Sequence, residues 1–194
     1  MKLLTFDTET TALQPGQICQ LSYIMSEGDS VKAKNMFFTV DEMSEGSFEV
    51  HGFSLEALEE LSGGLRFEDR AEEILRDFSE AQMLVGHNVA ADIRFMSCEL
   101  ERVGLKLPKI RNFCTMNYFT GIMMMKRAFQ TGRPKPPKLT ELAEFLEISD
   151  EYVLKCCSEW FEGGEQAHDA RFDAAMTYLC VVEGTKKGML RGLI

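Results

Sequence analysis

The apolar residues of this chain change their spacing once, and that change limits the folds open to it. From Lys2 to Val40 they fall into three strand-like runs: Lys2–Asp7, Gln17–Met25 and Val31–Val40. The segment Ser26–Ser30 (SEGDS) reads as a hairpin turn containing Gly28, and Pro15-Gly16 punctuates the earlier connection. Three strands in succession predict an antiparallel meander. From Ser54 onward the spacing is mostly helical. Ser54 is a predicted N-cap for a short helix with Ala57, Leu58 and Leu61 on its apolar side. Phe67–Phe78 places Phe67, Ala71, Ile74, Leu75 and Phe78 at helical intervals. Gln82–Gly86 and Ile110–Thr115 read as short strands, with helices over Ala90–Val103 and Met116–Phe129. Helices are also expected over Leu139–Leu146, within Ser149–Gly164, and over His168–Val182. Strands first, then helix–strand–helix alternation, predicts an α/β domain. Its mixed central sheet would hold the meander and then parallel strands, flanked by helices.

The 194 residues suit a single domain, 1–194. The Pro-rich basic stretch 131–138 (TGRPKPPK) is expected as a surface loop, because too few residues follow it to build a second domain. The apolar fraction of 45% contains no run of about 18 apolar residues, so no membrane span is expected. Asp7 interrupts the N-terminal apolar stretch too early for a signal peptide. The six cysteines form no C-x-x-C pair and read as reduced, mostly buried thiols of a cytoplasmic protein. A net charge of −10 disfavours a long footprint on duplex nucleic acid, which needs many basic contacts to phosphate. It leaves open an enzyme that grips one terminal nucleotide, where bound cations supply the positive charge.

Three short stretches carry candidate chemistry. In Phe6-Asp7-Thr8-Glu9-Thr10-Thr11, two carboxylates sit two apart at a strand end and project to the same side. Such a pair repels unless a cation lies between; alone, it is more often a solvated strand end. In His87-Asn88-Val89-Ala90-Ala91-Asp92, a strand leads in and a helix leaves, with Asp92 in the first helical turn. The plainer account has Asn88 capping and Asp92 answering the helix dipole. In His168-Asp169-Ala170-Arg171-Phe172-Asp173, a step of five residues turns a helix by about 140°. His168 and Asp173 therefore converge only if His168 lies at or before the first turn, which Gly163-Gly164 upstream permits.

In order and spacing these stretches resemble the three motifs of the DEDDh, DnaQ-like 3′→5′ exonucleases: D-x-E, then H-N-x-x-F-D, then H-x-x-x-x-D. The resemblance covers roughly residues 1–183 and includes His51-Gly52, Cys114-Thr115 and Lys138-Leu139. One departure is Ala91, where the family usually has an aromatic residue; Phe95 one turn later is expected to fill that space.

The resemblance implies a ribonuclease H-like fold and a site using two Mg²⁺ or Mn²⁺ ions. Asp7, Glu9 and Asp173 would hold the first ion, Asp7 would bridge to the second, and Asp92 would serve the second. His168 would be the general base, while Thr8, Thr10 and His51 would contact the terminal nucleotide, His51 from the loop before its helix. His87 and Asn88 would hold the strand-to-helix turn. The implied reaction removes nucleoside 5′-monophosphates from the 3′ end of single-stranded or frayed DNA. The competing expectations are a 3′→5′ exoribonuclease of the RNase T or oligoribonuclease type and an inactive nuclease-fold binding module. Nothing in the chain indicates a polymerase partner, and a stand-alone enzyme is expected over a tethered proofreader. The basic residues Lys126, Arg127, Arg133, Lys135 and Lys138 would either follow a single strand into the site or form a solvated loop.

Overall fold

The computed structural model of the chain describes residues 1–13, 16–126, 132–161 and 169–190. Five strands form one sheet in the order β3-β2-β1-β4-β5. They are β1 (Leu3–Thr10), β2 (Ile18–Glu27), β3 (Ser30–Phe37), β4 (Met83–Gly86) and β5 (Arg111–Cys114). The first three pair antiparallel, while β4 runs parallel to β1 and β5 parallel to β4. This is the expected meander followed by parallel strands.

Eight helices are described: α1 (Glu45–His51), α2 (Leu55–Ser62), α3 (Phe67–Ser79), α4 (Val89–Arg102), α5 (Thr115–Met123), α6 (Leu139–Phe145), α7 (Asp150–Trp160) and α8 (Ala170–Lys186). The alternation of β1 sorts them into two layers. Leu4 and Phe6 face one apolar core with Phe67, Ile74 and Phe78 of α3 and Met96 and Leu100 of α4. Leu3 belongs to the opposite core, built from α5 to α8 with Phe119, Leu142, Val153, Cys157, Met176 and Leu179. Helix α8 is buried along most of its length, and Ala170, Ala174, Ala175 and Gly184 let it lie close to its neighbours. A Cβ on Gly184 would come within 3.1 Å of both Leu190 and Phe119.

Several boundaries differ from expectation. Strand β1 runs to Thr10 instead of stopping at Asp7, because Asp7 to Thr10 continue the ladder with β2. Strand β3 stops at Phe37, short of Val40. Helix α5 stops at Met123, where Met124 takes the left-handed conformation (φ 46°) and ends the helix; residues 127–129 of the expected helix lie outside the described residues. The segment after Ser149 holds an eleven-residue helix capped by the Ser149 hydroxyl. Helix α8 begins at Ala170, not His168, and extends to Lys186. Among the described residues, no helix is long and apolar enough to cross a membrane.

Candidate active site

β1 pairs with β4 only over Leu3–Thr5, so its last residues extend past β4 into a crevice at the carboxyl ends of two parallel strands. Such crevices are where open α/β sheets bind ligands. Asp7 and Glu9 stand there on the face covered by α8, whose first turn supplies Asp173. One oxygen from each of Asp7, Glu9 and Asp173 lies within 4.8 Å of the others, and all three residues are half-buried.

Asp92 comes from the opposite layer. At the end of β4, a Cβ on Gly86 would sit 3.0 Å from the Val89 side chain, so the strand turns into α4 with no room to spare. The turn is completed by Asn88 in the left-handed region (φ 73°). Asn88 occupies the N-cap position but makes no side-chain cap bond. His87 ties the turn down through Thr115 Oγ1 and the Pro137 carbonyl, both at 3.0 Å. Asp92 is buried in the first turn of α4 and accepts a 2.7 Å hydrogen bond from Thr8 Oγ1. Phe95 is also buried, in the core beside Val89 and Met96.

Electrostatics set the chemistry of this group. Burial raises Asp7 well above the usual carboxylate range, and Asp92, Asp173 and Glu9 push it further. Burial, followed by Asp173 and Asp169, lifts Glu9 to about 9. Asp92 is lifted to about 6 by burial, against the lowering effect of Thr8. Carboxylates gathered this closely stay ionised near neutral pH only with added positive charge. An all-oxygen donor set suits a hard divalent cation, so the residues present fit the implied metal.

Thr10 and His51, two further predicted residues, lie beside this group. Thr10 Oγ1 donates to the Ala12 carbonyl at 3.3 Å. Glu9, Thr10, Leu13, Ser44, Val50 and His51 help line a cavity of about 540 Å³ beside the carboxylates. His51 reaches it from the last turn of α1, not from a loop; Gly52 then ends that helix in the left-handed region (φ 75°). The His51 ring is buried and stacks on Phe53, and its Nδ1 accepts from the Phe53 N–H at 3.1 Å. His168 lies outside the described residues. Helix α8 starts at Ala170.

Three polar residues of the surroundings escape a motif-based reading. Asp169 caps α8 and is buried against Arg171 and Gln20. Its only sequence signal is an acid just before a helix. Gln20 is a lone buried amide in a strand. Glu99, buried on α4, accepts from the Ile18 N–H at 2.7 Å beside a register shift in the β1–β2 ladder.

The family model described as an exonuclease (RNase_T) matches residues 4–180. No curated protein sequence matches. Among solved structures, the chain is similar to exonuclease I in a structure addressing how processivity is achieved, with a TM-score of 0.74 and 15% identity over 95% of this chain. It is also similar to E. coli exonuclease I in complex with a dT13 oligonucleotide (TM-score 0.72, 14% identity, 97% of this chain). The exonuclease I of Methylocaldum szegediense, described as moderately thermophilic, gives a TM-score of 0.69 at 14% identity over 96% of this chain. The chain spans 41%, 42% and 40% of those three structures respectively. At such identities the likeness is one of fold, a mixed five-stranded sheet flanked by helices of the ribonuclease H type. The match over residues 4–180 carries the stronger statement: this chain belongs to the RNase_T exonuclease family, the DnaQ-like DEDD 3′→5′ exonucleases.

Proposed function

We propose that this chain removes nucleoside 5′-monophosphates from the 3′ end of single-stranded or frayed DNA, using two Mg²⁺ or Mn²⁺ ions. The observation that carries the reading is the convergence of Asp7, Glu9 and Asp173 within 4.8 Å, with buried Asp92 reached through Thr8. In this reading Asp7, Glu9 and Asp173 would hold one ion, and Asp7 and Asp92 would serve the second. The chemistry such cations would supply there is stabilisation of charge on the attacking and leaving oxygens of an in-line displacement.

The chain's own residues do the rest. His168 accepts a proton from the attacking water as its oxygen bonds to phosphorus. The bond from phosphorus to the 3′ oxygen breaks, that oxygen takes a proton from solvent, and the strand is left one nucleotide shorter with a free 3′ hydroxyl. Thr10 and His51 line the cavity beside Glu9, which has room for a terminal nucleoside. A chain of net charge −10 suits such an end-on grip. The solved E. coli exonuclease I structures with dA16 and dT13 oligonucleotides support single-stranded DNA as the polymer.

The test is degradation of matched 5′-labelled single-stranded DNA and RNA oligonucleotides, with Mg²⁺, with Mn²⁺ and with EDTA. A ladder shortening from the 3′ end of DNA, with 5′-monophosphate products and no cutting in EDTA, is expected. Faster shortening of RNA would replace the substrate with the ribonucleic polymer. Metal-independent cutting, or none, would overturn the reading.

A further inference from the structure

Gln20 is fully buried in β2, directly opposite Glu9 in the β1–β2 ladder. A buried amide group left without a partner costs about 1–3 kcal/mol. Gln20 leaves none: Nε2 donates to Asp169 Oδ1 at 2.8 Å and to Asn35 Oδ1 at 2.9 Å, and Oε1 accepts from the Ala170 N–H at 3.0 Å. Two of these bonds end on the cap and first residue of α8. The third partner, Asn35, is itself held by Ser22 Oγ at 2.8 Å.

Asp169 is closed from its other side. Arg171 donates from Nε to Oδ1 at 2.9 Å and from a terminal nitrogen to Oδ2 at 2.6 Å, and its guanidinium lies over the Phe37 ring. One helical turn further on, the Asp173 N–H reaches the Asp169 carbonyl at 3.2 Å. A continuous path therefore runs from Glu9 across the ladder to Gln20, into Asp169, and up one turn to Asp173.

The rest of α8 docks without this help, because Ala174, Ala175, Leu179 and Val181 bury it in the apolar core. What apolar packing does not determine is the position of the first turn to within a hydrogen-bond length. That turn carries Asp173 toward two other carboxylates that repel it. We propose that Gln20 is a positioning residue that clamps the start of α8 to β2, so that Asp173 stays in ligating range of Asp7 and Glu9. The proposal rests on reading those three carboxylates as a cation site.

The test is calorimetric titration of Mn²⁺ into the nucleic-acid-free protein, comparing wild type, Gln20→Met, Asn35→Ala and Asp173→Asn. Gln20→Met keeps the length of the side chain and removes its bonds to α8; Mn²⁺ affinity is expected to fall about tenfold, the usual cost of losing an outer partner of a ligand. Turnover lost at low Mn²⁺ should return when Mn²⁺ is raised, which a general loss of stability would not produce. Asn35→Ala, at a half-buried position, removes the anchor that orients the Gln20 amide, together with the acceptor of Ser22 Oγ, and leaves the bonds from Gln20 to α8 in place. It should weaken binding in the same direction, and it keeps the test open where Gln20→Met does not fold. A folded variant of either kind with wild-type Mn²⁺ affinity overturns the clamp alone. Wild-type affinity in Asp173→Asn, or no Mn²⁺ uptake by the wild type, overturns the cation site and the clamp together.

Discussion

Thr8 Oγ1 donates to Asp92 Oδ1 at 2.7 Å, joining the strand that carries Asp7 and Glu9 to the helix on the other face of the sheet. Thr8 alternates away from its two acidic neighbours, so its hydroxyl points toward α4. It also works against burial in setting the charge state of Asp92. Thr8→Val is nearly the same shape without that donor. It is expected to cut turnover roughly tenfold near neutral pH, while Thr8→Ser stays close to wild type. Equal rates for the two variants under saturating Mg²⁺ would remove this role from Thr8.

The carboxylate cluster gives metal-free protein a definite dependence on pH. Glu9 rises from an ordinary 4.5 to about 9 in the folded chain, and Asp7 is raised as well. A carboxylate with a raised folded pKa binds its proton more tightly when folded, so folding is favoured by low pH. The benefit is fully present below the unfolded pKa and is lost as pH climbs through the folded one. In EDTA the melting temperature should therefore fall between about pH 5 and pH 9. Mg²⁺ or Mn²⁺ should flatten that fall; thermal melts across the range, with and without metal, check both.

Removing one member should separate stability from function. Asp7→Asn replaces a buried carboxyl whose ionisation burial and its neighbours oppose, so near neutral pH the metal-free variant should melt higher than metal-free wild type, by a few degrees for about 1 kcal/mol. The same variant should take up neither ion with normal affinity and should not cut DNA. A normal Mg²⁺ titration in it would contradict the ligand scheme.

Glu99 holds the opening of β2 from α4 through the Ile18 N–H and pairs with Arg102. Glu99→Ala leaves a buried donor without a partner and should cost about 2 kcal/mol in urea unfolding. Glu99→Gln retains an acceptor for Ile18 and should recover most of that loss.

His168→Ala should lower turnover by about 10²–10⁴-fold, the usual contribution of a positioned general base. Mn²⁺ binding and the melting temperature should stay at wild-type values. Full activity in that variant would assign the base elsewhere.

The parts of this site legible in the sequence are those where one short stretch contains both a structural cue and a charge. Ser54 caps α2, and its side chain accepts from the Ala57 N–H at 3.2 Å. The Asp7–Glu9 spacing places both acids on one face because strand alternation is rigid. Helix α1 was not legible because it has no apolar stripe: Phe48 and Val50 are exposed and only His51 is buried. Its role as a cavity wall replaces the core packing that would have created a periodic pattern. The end of α5 was hidden for the opposite reason. Met123, Met124 and Met125 all suit a helix, and the stop is a left-handed residue with no glycine to announce it. Gln20 and Asp169 lie 149 positions apart, so the bond between them leaves no local trace.

The burial of α8 on β1 and β2 also bears on how the protein comes into being. Asp7 and Glu9 come from β1 and Asp92 from α4, whereas Asp173 comes with the first turn of α8. The four carboxylates are therefore together only once α8 has packed on β1 and β2. Docking of that helix on the sheet would be the folding step that completes the proposed cation site.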